Sequence, residues 1–178
     1  YVVTSNSPQA VEILDVSIPR APVKISQVTT SGRPNGIFAQ GRYVYSVNDG
    51  GAFMQIVDVA NPAVPVIVST TATTTNPQSV YVQGRYAYVL NNGGSLQIFD
   101  VSNPASPSSV GSVSTGGSGG NYPQGLSVQG RYAYVLNYST SSLEFFDVSN
   151  PASPLSLGTV TTGTGPNGIS VQVRYAYI

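Results

Sequence analysis

Apolar and polar residues along this chain alternate in short runs, and no stretch repeats its apolar positions at helical spacing. Arg85-Tyr-Ala-Tyr-Val-Leu90 reads as a half-buried β-strand, aromatic and alternating. Short apolar runs precede it and its counterparts, at Ile37–Ala39, Val80–Val82, Leu126–Val128 and Ile169–Val171. Gln-Gly at 40–41, 83–84 and 129–130 links the two as a tight turn, where glycine supplies a positive φ. Asn-Asp-Gly-Gly (48–51) and Asn-Asn-Gly-Gly (91–94) then turn the chain into a third strand, and a Ser/Thr-rich fourth follows, as at Val66–Thr73. The elements predicted are sixteen short strands in four equal antiparallel sheets.

These elements recur as a unit. Arg-Tyr-x-Tyr begins at Arg42, Arg85, Arg131 and Arg174, and an apolar strand ends in Asp at Asp15, Asp58, Asp100 and Asp147. Pro-(Asn/Gln)-(Gly/Ser) opens at Pro34, Pro77, Pro123 and Pro166. All three recur in fixed order at steps of 42 to 47 residues. A period near 43 with four strands per unit favours an all-β propeller of four-stranded antiparallel blades. The repeats run over 1–34, 35–76, 77–122 and 123–165, with 166–178 completing the first blade. Because Tyr1 and Tyr177 both align with Tyr45, Tyr88 and Tyr134, the expectation is a four-bladed ring with one blade completed by both termini. Closure across two copies, as a strand-complemented dimer or a polymer, is the alternative.

Antiparallel pairing gives opposite residues a constant sum of numbers. Turn centres at Gly50, between Asn92 and Gly93, and at Ser139 place Arg42 opposite Asp58, Arg85 opposite Asp100 and Arg131 opposite Asp147. Closure adds Arg174 opposite Asp15. The same registers set the column Glu12, Gln55, Gln97 and Glu144 opposite the second Tyr of the preceding strand, bonding between blades.

The strings Val11-Glu-Ile-Leu-Asp15, Met54-Gln-Ile-Val-Asp58, Leu96-Gln-Ile-Phe-Asp100 and Leu143-Glu-Phe-Phe-Asp147 resemble the LVIVD repeat family. Asp100-Val-Ser-Asn-Pro-Ala-Ser-Pro107 and the Arg-Tyr-Ala-Tyr-Val strand fit it too, over essentially the whole chain. The resemblance implies a β-propeller from a bacterial or archaeal surface or secreted protein, with no family catalytic residues to carry over. Val173 departs from the pattern, standing where the other turns have Gly.

Composition narrows the chemistry. Charged residues make up 8%, seven basic against seven acidic, so neither a polyanion such as nucleic acid nor a membrane surface is favoured as partner. No apolar run is long enough to insert in a membrane. Low charge with abundant Ser, Thr and Asn points to an extracellular or cell-surface setting. Cysteine is absent, so no disulfide framework contributes. The chain opens on Tyr1 and closes on Tyr-Ala-Tyr-Ile, which reads as a piece of something longer.

Histidine and cysteine are both absent, which removes the usual base, thiolate and soft-metal ligands. Outside the Arg–Asp pairs the carboxylates are Glu12, Asp49 and Glu144, two of them mid-strand, which argues against a glycosidase pair across a cleft, and Asp49 with Asn48 offers too few oxygens for a hard cation. The expectation is a non-enzymatic structural or adhesion module that needs no cofactor. A lectin-like binder of a surface glycan or peptide is the second reading. In a propeller the connections between fourth and first strands, and the turns between second and third, share the face at the channel mouth. Asn35, Gln78, Asn121, Tyr122, Gln124, Tyr138 and Asn167 fall there, offering amides and aromatic faces. The bland reading, amides satisfying turn backbones, is the stronger. Gly116–Gly120 reads as a connector, and Asn137-Tyr-Ser139 matches a glycosylation acceptor.

Overall fold

A computed structural model describes residues 1–4, 8–116 and 123–178. It contains the strands β1 (Val2–Thr4), β2 (Ala10–Asp15), β3 (Val23–Thr29), β4 (Pro34–Gln40), β5 (Tyr43–Asn48), β6 (Phe53–Asp58), β7 (Val66–Ala72), β8 (Pro77–Gln83) and β9 (Tyr86–Asn91). There follow β10 (Ser95–Asp100), β11 (Ser108–Ser114), β12 (Pro123–Gln129), β13 (Tyr132–Asn137), β14 (Ser142–Asp147), β15 (Leu155–Thr161), β16 (Ser170–Gln172) and β17 (Tyr175–Tyr177). They form three four-stranded meanders, β4–β7, β8–β11 and β12–β15, flanked by the three-stranded sheet β1–β3 and the hairpin β16–β17.

The core lies between sheets rather than within any one of them. Tyr45, Val47, Met54 and Ile56 of one sheet pack on Val80, Val82, Ala87, Val89, Phe99 and Val101 of the next. Tyr88, Leu90, Leu96 and Ile98 repeat that contact against Leu126, Val128, Ala133, Val135, Phe146 and Val148. Alternate residues of one strand therefore serve opposite neighbours, and β9 is buried on both faces after its first residue. Burying each large apolar side chain is worth about 1.5–3 kcal/mol. The fourth strands have a sheet on one side only, and β15 is exposed along its whole length. This gradient accounts for the drift from Val, Leu and Tyr to Ser and Thr across each repeat.

First strands of successive sheets approach closely. An added Cβ at Gly36 would lie 2.8 Å from the Gln78 carbonyl oxygen, so only glycine admits that approach. Side-chain amides then clasp neighbouring turns. Gln40 donates to Gly84 O at 2.7 Å and accepts from Gly84 N at 3.2 Å. Gln83 does the same to Gly130, at 2.8 and 2.9 Å. Gln129, with its amide oriented to match, meets the N and O of Val173 at 3.1 Å each. The departure at Val173 thus still forms the turn, with the valine at φ 58° where Gly41, Gly84 and Gly130 sit near 60°.

Two sequence expectations need correction. The hairpin register is one residue off: Asp58, Asp100 and Asp147 lie opposite Tyr43, Tyr86 and Tyr132. The arginine carbonyls accept instead from Val59, Val101 and Val148 at 2.8–2.9 Å. The turns hold a little more chain than the sequence suggests, each closing on a residue of positive φ, namely Ala52, Gly94 and Ser141. The slip also sets Gln55 opposite Ser46, Gln97 opposite Val89 and Glu144 opposite Val135 rather than opposite tyrosine. Second, the termini do not complete one sheet. β17 pairs with β16, and β2 carries β1 opposite Ala10–Glu12 only, with no strand among the described residues beside Ile13–Asp15 on that side.

Candidate functional site

Connections between sheets and turns within them do share one end of the sheets. Asp49 N donates to Arg33 O at 2.9 Å, and Asn92 N to Asn76 O at 3.0 Å. The amides expected there sit deeper than in loops. Asn35, Gln78 and Gln124 are the bulge residues of β4, β8 and β12, because the first strands begin at Pro34, Pro77 and Pro123. A bulge re-aims one side chain. Asn35 Nδ2 uses that freedom to donate to Pro77 O of the next sheet at 3.2 Å, and Gln78 Nε2 lies 3.4 Å from Asn76 O. Asn167 is exposed ahead of β16 and borders a cavity of about 610 Å³ with Leu143, Val160, Pro166 and Ile178. Tyr138 is half exposed and leans on Gly165, where an added Cβ would lie 3.1 Å from its ring. Asn121 and Tyr122, with most of the Gly116–Gly120 stretch, lie outside the described residues. Among the described residues, Asn35 and Gln78 are thus turned to backbone carbonyls while Asn167 faces a cavity.

At the opposite end, Arg42–Asp58, Arg85–Asp100 and Arg131–Asp147 are ion pairs. Each arginine stands at the entrance of its strand, 5.3 Å above the ring of the next tyrosine, which lets it reach an aspartate diagonally across the hairpin. Each aspartate also takes the backbone N–H two residues on, at 2.9 Å, shaping the Asx turn. Hydrogen bonds from Arg131 and Ser149 hold the Asp147 carboxyl down to about 2, and Arg85 with Ser102 depresses Asp100 as well. Arg174 and Asp15 are not paired within the chain. Arg174 donates to the Tyr175 hydroxyl at 3.1 Å and Asp15 accepts from Ser17 N at 2.8 Å, and the strand that carries Arg174 pairs with β16 rather than with β2.

Asp49 and Glu12 are occupied too, by Arg33 and Lys24. The glutamine column ties each sheet to the connection entering it. Gln55 accepts from Ser31 N at 3.3 Å, Gln97 from Thr74 N at 2.9 Å, and Glu144 from Gly116 N at 2.6 Å. Asn48, Asn91 and Asn137 end the second strands fully buried. The glycosylation acceptor at Asn137 is therefore closed in the folded chain. Reading the sequence missed this asparagine column and the glutamine clasp, although Gln40, Gln83, Gln129 and Gln172 recur visibly. A cavity of about 530 Å³ lies between β12–β15 and the terminal hairpin, lined by Tyr134, Phe145, Leu157, Val171 and Arg174. No group of three or more His, Cys, Asp or Glu that could hold a metal occurs among the described residues.

Solved structures share this fold at low identity. A functionally unknown protein from Desulfotomaculum acetoxidans is 19% identical with a TM-score of 0.74, covering 92% of this chain and 54% of its own. A periplasmic gluconolactonase from Pseudomonas aeruginosa is 16% identical with a TM-score of 0.79, covering 94% and 55%. A putative 6-phosphogluconolactonase from Bacteroides uniformis is 11% identical, also at 0.79, covering 92% and 55%. The chain thus spans little more than half the length of each, and these likenesses establish a propeller-type all-β fold. None of the curated proteins matches the sequence. The LVIVD repeat matches residues 31–73, 76–115 and 120–162, the three four-stranded sheets in turn. With most of its length so matched, the chain belongs to the LVIVD repeat family.

Proposed function

We propose that the chain is a non-enzymatic structural or adhesive module of an extracellular or cell-surface protein. The observation that carries this reading is the commitment of its polar side chains to architecture. Asp58, Asp100 and Asp147 each bind an arginine and a turn amide, Asp49 binds Arg33, and Glu12 binds Lys24. The amides of Gln40 and Gln83 engage the turn of the next sheet through both N and O. With no histidine or cysteine in the chain, neither an imidazole base nor a thiolate nucleophile is on hand.

Its partners on this reading are a surface protein or glycan, or a second copy. The cavity beside the terminal hairpin supports the last of these. In the interior interfaces the corresponding tyrosine face is covered by third-strand residues such as Phe99 and Phe146, which are buried there. The third-strand edge at Val16 is 64% exposed, whereas its counterparts Val59, Val101 and Val148 are buried.

The names of two structural neighbours supply the competing reading, a lactonase. Incubation of the chain with glucono-1,5-lactone and with 6-phosphogluconolactone, followed by acid release, tests it. Hydrolysis at the uncatalysed rate is expected. Saturable turnover that a single carboxylate substitution abolishes would overturn the non-enzymatic reading.

A further inference from the structure

Glu144 occupies the position that Gln55 and Gln97 hold in the two preceding sheets. Gln55 uses both ends of its amide: Oε1 accepts from Ser31 N at 3.3 Å, and Nε2 donates to Ser31 Oγ and Thr70 Oγ1 at 3.1 Å each. A carboxylate cannot donate. Glu144 receives Gly116 N at 2.6 Å and Asn137 Nδ2 at 2.5 Å, both on Oε1. Its cross-strand partner Thr159, the counterpart of Thr70, is left without that bond.

Glu144 is 8% exposed, and none of the ion pairs among the described residues includes it. A buried carboxylate without a counter-charge is costly, unlike the neutral amide in the sister sheets. Thr115 Oγ1 is buried without a partner, as is Asn137 Oδ1, a feature that Asn137 shares with Asn48 and Asn91 in the other two sheets. Thr115 is 4% exposed, precedes the glycine that binds Glu144, and lines the same cleft. That cleft, between the sheets β8–β11 and β12–β15, measures about 600 Å³, and Ser142, Thr159 and Thr161 add hydroxyls to its wall.

The geometry points to a binding site for an amino sugar, a primary ammonium carried on a hydroxyl-rich ring. One negative charge matches one ammonium. The wall hydroxyls of Ser142, Thr159 and Thr161 suit sugar hydroxyls and an ammonium, and the volume falls within that of small-molecule sites. A hard divalent cation would want six to eight oxygens and usually more than one carboxylate. This site is separate from the amides at the channel mouth and does not depend on them.

The test is a titration of the 178-residue chain with a glucosamine trimer, followed by backbone amide NMR, beside N-acetylglucosamine trimer and calcium chloride. Signals of Thr115, Gly116 and Ser142–Thr161 should move with the glucosamine trimer, and the affinity should fall as salt is added. Glu144→Gln, which installs the residue of the other two sheets, should keep the folded spectrum and weaken binding at least tenfold. Asp15→Asn, at an exposed carboxylate away from the cleft, should leave the affinity unchanged. Equal binding of the acetylated trimer, undiminished binding by Glu144→Gln, shifts produced by calcium alone, or no shift at all would each overturn the assignment.

Discussion

Exchanging Gly84 for valine isolates one backbone contribution. Gly84 sits at φ 62°, and a Cβ added there would have nothing within 4 Å, so a side chain leaves the turn into open space. Gln40 reads only the N and O of this residue, so the bonds at 2.7 and 3.2 Å between sheets survive the exchange. What remains is the cost of placing a β-branched residue in the left-handed region, about 1–2 kcal/mol, partly offset in that valine has less unfolded-state entropy to lose. Urea melts of Gly84→Val should therefore lose about 1 kcal/mol with an unchanged denaturant slope. The same exchange exists in the native chain: Val173 adopts φ 58° and is 80% exposed, burying almost nothing. Val173→Gly should slow hydrogen exchange in β16–β17 by relieving that strain. A neutral Gly84→Val together with a faster-exchanging Val173→Gly would refute the assignment of glycine here to backbone conformation.

Other perturbations separate the remaining contributions. Phe99→Ala opens a cavity in a fully packed interface between sheets and should cost about 3–5 kcal/mol in the same melts. Gln83→Ala removes two bonds to a solvent-exposed turn that water can replace, so a loss of about 0.5–1.5 kcal/mol is expected. Asp147, at about 2 against an ordinary 3.8, binds protons less readily when folded than when unfolded. Its stabilisation is therefore complete above about pH 4 and lost as pH falls through 2, and Asp147→Asn should flatten that part of the acid-denaturation profile. Size-exclusion chromatography with light scattering should show mass rising with concentration if a second copy covers Val16, and Val16→Lys should abolish the rise.

Strand order, sheet composition and the arginine–aspartate partners are legible in the sequence because each is written as a repeated string. The register is not, since it depends on whether Asp49–Ala52 closes as three or four residues, which turns on the φ of Ala52. Asn35 and Gln78 read as loop residues because a proline ahead of an amide resembles a turn. In the fold that proline pairs with Asn48 or Asn91 and the amide bulges out of the strand. The burial of Glu144 is hidden for another reason. Its column reads as bonding between blades, but the partners that enclose it, Gly116 N and Asn137 Nδ2, are set by the connection and the strand end rather than by any repeated string.

The clasp of each glutamine on the next turn has an evolutionary consequence. Its contact is with peptide groups alone, so it is blind to the side chain at the turn, as the valine at 173 demonstrates. A unit duplicated or transplanted within such an array arrives able to grip its successor and be gripped by its predecessor, with no compensating change at the junction. Arrays joined this way can lengthen or recombine by whole units, and each unit's exposed outer strand can diversify without disturbing the joint.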